Sequence, residues 1–317
     1  MESGYQRLDV SEHRRCRCSK MQKFVWLTGF LLALALHVVV VPSSSTWLLA
    51  VYYASVGFVV VWTILLYLME KADVPDLTPI ECIVPEKIWC RGYLVNISGA
   101  SCYSRTTIIH LNDGSYCVHS PCPLDDICEQ FFHGRTVSYL LAPGDWHHFH
   151  IAAWAQRFQT AKVLICPGVE KKQPLLNHNG FIHDYIASAG NDDALSKEFE
   201  AVFSAGFDLM HEVVMYHKVT RHLLLVDLVE HIGDDYVGYN RCLRLFWCLF
   251  GMWNQGKPAP EYQFGVGKKD EVRRFMREIL EGDWKIEGII LSHGNNLLHV
   301  TNEESKEFLR GAWKAML

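Results

Sequence analysis

Four side chains in this sequence have the types and the placement to hold a metal ion. His147-His148 follow the apolar run Val137 to Leu141 and its Pro143-Gly144 turn, and they precede a helix that begins near Ile151. Asp227 ends the run Leu223 to Val226, and His293 ends the run Ile289 to Ser292; each is the first ionisable group past a strand-like segment. Three strand ends thus deliver three imidazoles and a carboxylate, a donor set suited above all to Zn, with Fe or Mn as alternatives. The chain holds 16 histidines, so this set must be told apart from scattered ones. His13, His110, His119, His133, His178, His183 and His299 read as surface or capped core residues, whereas chance does not readily place a ligand set at successive strand ends.

The elements that must position these groups are legible as apolar runs of strand length: Ile88 to Val95, Thr106 to Leu111, Ser115 to Val118, Val137 to Leu141, Lys162 to Cys166, Leu209 to Tyr216, Arg221 to Asp227 and Ile286 to Ser292. Asn112-Asp113-Gly114 reads as a hairpin turn, because these residues tolerate positive φ. Ile151, Trp154, Ala155 and Phe158 share one helical face, as do Val272, Phe275, Met276, Ile279 and Leu280. Thr301-Asn302-Glu303-Glu304 spells a capping box that opens a final helix. Mixed strands with helices on the outer faces are implied. The run from Cys242 to Trp253 is apolar but too short to span a bilayer; a core helix is its default reading, and a lid or an interfacial helix is the alternative.

Composition narrows the partners. Half of the 317 residues are hydrophobic, 21% are charged and the net charge is -5. No basic stripe follows residue 91, so no nucleic-acid binding is expected. The odd cysteine count, 11, shows no disulfide-like spacing and reads as reduced thiols. Much of the apolar excess lies in Phe24 to Val41 and Thr46 to Met69, separated by Pro42-Ser43-Ser44-Ser45. These read as a two-helix transmembrane hairpin, each span near the ~20 residues a bilayer core requires. Arg7, Arg14, Arg15, Arg17, Lys20 and Lys23 precede the first span and Lys71 follows the second, so the positive-inside rule puts the N-terminus and the C-terminal domain in the cytoplasm and leaves Asn96 unglycosylated. Cys16 and Cys18 are candidates for palmitoylation, with unmodified thiols as the alternative. The expected domains are a basic tail (1–23), the hairpin (24–69), a linker (70–79) and a soluble domain (80–317).

From Ile88 onwards the chain resembles the metallo-β-lactamase-like hydrolase superfamily, in a branch with a reduced metal motif. The resembling pieces are Leu111 to Pro121, Leu141 to His148, Pro167 to Lys172, Glu212 to His217, Leu225 to Leu228 and Leu291 to Gly294. The resemblance implies an αββα sandwich in the α/β class. It also implies a motif His-x-His-x-Asp-His, which falls here on Pro143, Asp145, His147 and His148. One metal site has then lost its imidazoles; the next family histidine falls near Asp208, and Asp145, Asp208 or Glu212 would offer oxygen instead. The other site keeps His147, His148, Asp227 and His293. Four protein ligands close a zinc site, whereas catalysis needs an open position. The expected function is a membrane-anchored metal-dependent hydrolase acting on an ester, amide or phosphoryl bond of a small or lipid-like substrate. In it Asp227 orients a metal-activated water, Glu212 or Asp145 takes the proton, and Trp146 and the 242–253 segment form an apolar wall. The alternative is a catalytically degenerate binding or scaffolding protein on the same fold; di-iron redox chemistry is disfavoured by the lost ligands.

Overall fold

A computed structural model of the chain describes residues 46–70, 74–97, 99–173, 183–185 and 193–317. Two sheets lie face to face. The first contains β1 (Glu81–Val84), β2 (Ile88–Ile97), β3 (Ala100–His110), β4 (Tyr116–His119), β5 (Val137–Ala142), β6 (Lys162–Ile165) and β7 (His183–Tyr185), in that spatial order. It is antiparallel from β1 to β4 and parallel from β4 to β7. The second contains β8 (Phe199–Phe203), β9 (Val213–His217), β10 (His222–Leu225) and β11 (Gly288–Leu291), in the order β11-β10-β9-β8, with β10 and β11 parallel. The described helices are α1 (Thr46–Leu68), α2 (Asp126–Phe132), α3 (Ile151–Arg157), α4 (Val169–Lys172), α5 (Asp193–Glu198), α6 (Arg241–Leu249), α7 (Pro260–Phe264), α8 (Lys269–Glu281) and α9 (Asn302–Trp313).

Strand alternation sorts the second sheet's residues into two cores. Val213, Met215, Leu224 and Ile290 turn inward and pack with Ile108, Leu140 and Leu164 of the first sheet. Their neighbours Val214, Tyr216, Leu223, Leu225, Ile289 and Leu291 turn outward, onto Phe275, Met276 and Ile279 of α8 and Leu309 and Trp313 of α9. On the other side Phe132 of α2 and Trp154 of α3 join the first core. The result is the helix-sheet-sheet-helix layering that the resemblance implied.

The short-range signals are formed as expected. In the hairpin, Leu111 N–H donates to Ser115 O at 2.8 Å, and Gly114 takes φ +85°, where a residue without Cβ is unstrained. In the capping box, Thr301 N–H donates to Glu304 Oε2 at 2.7 Å while Glu304 N–H donates to Thr301 Oγ1 at 3.2 Å. The 242–253 segment departs from its default reading. Cys242 and Leu243 of α6 are buried, but Leu245, Phe246 and Leu249 are exposed, so α6 is not a core helix.

The membrane hairpin is corrected. Among the described residues no helix is long and apolar enough to cross a membrane. The first expected span and the basic tail lie outside them, as do His13, Cys16, Cys18 and His178. The two-pass location, the cytoplasmic placement and the bilayer as a partner all rested on that hairpin and are corrected with it. The C-terminal end of α1 is instead tied to α6: Arg241 pairs with Glu70 at 3.2 Å and lies 4.0 Å over the Tyr67 ring.

One ion pair joins the first sheet to its covering helix. The Arg91 side chain is 1% exposed and gives Nη2–H to Asp125 Oδ2 at 2.7 Å, while Asp125 also caps α2 by accepting from Cys128 N–H at 3.0 Å. The hydrogen bond from Arg91 holds the Asp125 carboxyl down at about 2. Asp125→Ala therefore strands a buried guanidinium as well as removing a cap, and should cost about 3–5 kcal/mol in urea unfolding. Because the folded-state carboxyl titrates below its unfolded value of ~3.9, the stabilisation is complete above that pH and is lost as pH falls through about 2. The gap between the parent and Asp125→Asn should thus be constant from pH 5 to 7 and shrink on acidification; a gap that stays constant down to pH 2 would contradict the pairing.

Candidate metal centre

The loop after β5 is stitched to the start of β9. Gly144 and Glu212 form an antiparallel bridge, Asp145 N–H donates to His211 O at 3.0 Å, and Val213 N–H donates to Pro143 O at 2.7 Å. A Cβ on Gly144 would meet Val226 Cγ2 at 3.0 Å, so a glycine lets the two sheet ends approach. The turn closes with His147 N–H donating to Gly144 O at 3.0 Å, which aims the His147 imidazole at the end of β10.

There three of the four expected ligands converge. One donor atom from each of His147, Asp227 and His293 lies within 4.8 Å of the others, and all three residues are buried. His147 Nε2 is 3.2 Å and His293 Nε2 3.4 Å from Asp227 Oδ1, and Asp227 Oδ2 has no hydrogen-bond partner. The outer ring nitrogens are held from behind. His293 Nδ1 lies 3.0 Å from Tyr103 O, and a carbonyl only accepts, so this nitrogen carries the proton. Its Nε2 then meets the carboxylate either as an imidazolium or as a lone pair with a cation between them. His147 Nδ1 lies 2.7 Å from Ser120 Oγ, a hydroxyl that can accept from Nδ1–H when a cation sits on Nε2. Ser120 is fully buried at the end of β4, with φ +54°.

Electrostatics follow from the same contacts. Burial opposes ionisation of Asp227, but the His147 and His293 imidazoles overcome it and hold the carboxyl well below its usual range. Burial also disfavours a charged His293; Cys102 and Asp227 outweigh it and push the imidazole upward. A buried carboxylate that faces two oriented imidazoles through Oδ1 and leaves Oδ2 unpartnered fits a single divalent cation, and the cluster can coordinate one.

The remaining expected site residues are placed otherwise. His148 is not in the cluster; its Nδ1 is buried without a partner, and burial pulls its ring down to about 4. Asp145 Oδ2 lies 3.3 Å from His211 Nδ1 and accepts from His211 N–H at 3.0 Å, while Lys172 Nζ stands 3.5 Å from Oδ1. Burial raises the Asp145 carboxyl, but these two cations outweigh it and hold the group low. His211 Nε2 lies 2.8 Å from Phe207 O, so both ring nitrogens face acceptors and the imidazolium is favoured, with the Asp145 hydrogen bond as its main cause. Glu212 has no exposed surface. Its Oε1 accepts from Val226 N–H at 3.1 Å and its Oε2 from Asp227 and Leu228 N–H at 2.8 and 2.7 Å. Asp208 packs against Gly267 and is not among the converging ligands.

A cavity of about 340 Å³ opens above His147, Asp227 and His293, walled by Tyr93, Val95, Trp146, Phe149, Leu243, Phe246 and others. Trp146 and α6 thus form an apolar wall, as expected. Three contributors had no signal in the sequence. Ser120 and the Tyr103 carbonyl reach their histidines across 27 and 190 positions. Glu230 lines the cavity, is 5% exposed and leaves Oε2 without a partner; burial pushes its carboxyl up to about 8. Of the histidines set aside, His119 is 1% exposed with both ring nitrogens unpartnered and is driven down to about 3 by burial, a neutral core residue.

No family model matches the chain, and no curated protein does. Solved structures similar to it include DIM-1 metallo-β-lactamase, at 14% identity and a TM-score of 0.48 over 75% of this chain and 99% of that one. The metallo-β-lactamase FIM-1 from Pseudomonas aeruginosa in its mono-zinc form is 11% identical, with a TM-score of 0.48 over 77% and 99% of the two chains. A metallo-β-lactamase from Erythrobacter litoralis is 10% identical, with a TM-score of 0.49 over 76% and 99%. Overlaps of this quality say nothing about activity.

Metal titration separates the ligands from their neighbour. His147→Ala, Asp227→Ala and His293→Ala should each abolish stoichiometric zinc binding, whereas His148→Ala should keep one ion per chain. Ser120→Ala should weaken zinc affinity about 10–100-fold, the usual cost of removing a ligand's orienting partner. Loss of zinc in His148→Ala, or none in His293→Ala, would overturn this assignment.

Proposed function

We propose that this chain is a metal-dependent binding module on an αββα scaffold, in which His147, Asp227 and His293 hold one divalent cation at the floor of an apolar cavity. Three protein ligands leave a tetrahedral ion one open position, which suits an oxygen of a small bound molecule. Zinc matches the donor set best.

The observation that carries this reading is that Glu212 and Asp145, the two carboxylates expected to take the proton in a hydrolase, are already engaged. Glu212 serves three backbone amides, and Asp145 lies between His211 and Lys172. Glu230 faces the cavity, but burial pushes its carboxyl up to about 8, so the protonated form, which is no base, predominates at neutral pH. This replaces the membrane-anchored hydrolase expected from the sequence. That expectation needed a bilayer span, which no helix among the described residues supplies, and Glu212 or Asp145 as a free base.

The test pairs binding with turnover. The zinc-loaded full chain should bind cavity ligands yet leave p-nitrophenyl esters, anilides and bis-p-nitrophenyl phosphate unreacted above the rate of its own Asp227→Ala variant. Zinc-dependent turnover that Asp227→Ala abolishes would overturn the binding reading.

A further inference from the structure

His293 stands in a loop that turns sharply after β11, and the turn is held from two sides. On one side, His231 N–H donates to His293 O at 3.1 Å and Asn295 N–H donates to His231 O at 2.8 Å. Gly294 takes φ +96°, and a Cβ there would collide with His231 O, so this corner needs a residue without a side chain. On the other side β3 supplies the half-buried Arg105. Its guanidinium donates through Nη1 to Leu291 O and, at 2.8 Å, to Asn296 Oδ1, and through Nη2 to Gly294 O at 2.9 Å. Asn296 Oδ1 also accepts from Leu291 N–H at 3.0 Å, so the loop closes on itself around the same fork.

The acceptors of that fork bracket the ligand. Leu291 lies two residues before His293 and Gly294 one residue after it, so a single planar group ties the backbone on both sides of the imidazole. Two positions earlier on β3, Tyr103 O holds His293 Nδ1 at 3.0 Å. One strand thus fixes both the main chain and the ring of His293, and leaves Nε2 facing Asp227 at 3.4 Å. All three acceptors of the guanidinium are neutral. Hydrogen bonds from a charged donor are the strong ones, and an ammonium cannot reproduce a planar fork. The positive charge by itself works against the site, because like charges repel and the ligands await a divalent cation.

We propose that Arg105 is the positioning residue of the metal centre: its fork holds residues 291 to 296 in the conformation that presents His293 Nε2 to the cation, and this geometry outweighs the repulsion of its charge. The consequence for affinity rests on the metal reading above, whereas the clamp itself involves no ion, so the two can be tested apart.

Positioning and charge have opposite signs in a zinc titration. In competition with a chromophoric chelator, full-length Arg105→Gln, which removes both charge and fork, should bind zinc about 10–100-fold more weakly than the parent. Arg105→Lys, which keeps the charge and loses the fork, should be weakened comparably. Affinity in Arg105→Gln equal to or tighter than that of the parent, or full affinity in Arg105→Lys, would sink the inference. The second measurement needs no metal. In EDTA, proton NMR of the parent should show an exchange-protected His293 Nδ1–H, held by Tyr103 O; both variants should lose that signal and keep the Trp154 indole N–H, which donates to Cys122 O in the core. A His293 signal that persists in both variants would show that Arg105 does not hold the ring. Should Arg105→Gln fail to fold, Arg105→Lys carries both measurements. A parent chain that binds no zinc would remove the metal reading, and the proton signal would still decide the clamp.

Discussion

The Glu212 side chain only accepts hydrogen bonds and does not line the cavity above the cluster, yet the metal centre depends on it. Its carboxylate receives three consecutive backbone N–H groups, from Val226, Asp227 and Leu228, just where β10 ends. A strand end presents amides that no neighbouring strand satisfies, and in a buried site each orphan donor costs about 1–3 kcal/mol. One carboxylate answers all three and fixes the backbone dihedrals around Asp227, the residue on which both imidazoles converge. Burial pushes Glu212 up to about 8 and the nearby Asp227 charge adds to that, while the three amides pull the other way. Glu212 accepts these hydrogen bonds in either protonation state. Ser204 Oγ accepts from Glu212 N–H at 2.8 Å, so the residue is itself anchored from behind.

The same logic of outer partners governs the histidines. Tyr103 O leaves His293 one choice of neutral tautomer, and Ser120 Oγ holds His147 by its far nitrogen. Each ligand is therefore turned toward Asp227 by an element of the first sheet, β3 or the end of β4, while Asp227 itself hangs from the second. The site sits where the two sheets meet at their edges, and the close approach at Gly144 allows that meeting.

What the sequence made legible was what depends on neighbours in the chain. The Asn112-Asp113-Gly114 turn, the Thr301 and Glu304 capping box and the strand ends carrying His147, Asp227 and His293 are set by local pattern. His148 is next to His147 in sequence but is not among the three converging groups, since consecutive residues of a tight turn point in different directions. Glu212 misled for another reason. An ionisable residue beside a strand suggests chemistry, but nothing in a sequence tells whether a carboxylate will face a cavity or a row of amides. Ser120, Tyr103 O and Glu230 acquire their roles from chain segments far away, so no local signal could have flagged them. The segment from Cys242 to Trp253 was apolar enough for a core, but α6 uses that surface partly as a cavity wall and partly against solvent.

At the start of the loop after β5 the chain gathers a compact polar cluster around Asp145. Asp145 lies between the His211 imidazole and the Lys172 ammonium, and Lys172 also stands 5.1 Å over the Trp146 ring. An exchangeable cation there would leave the loop after β5 loose whenever the ion was absent. The side chains of Lys172 and His211 hold that loop without an ion, together with the backbone bridges to His211 and Val213. Because His147 lies two residues further along the same loop, its imidazole is set before any ion arrives. A preorganised ligand gives up less conformational entropy on binding, and the open face of the three-group site is the cavity.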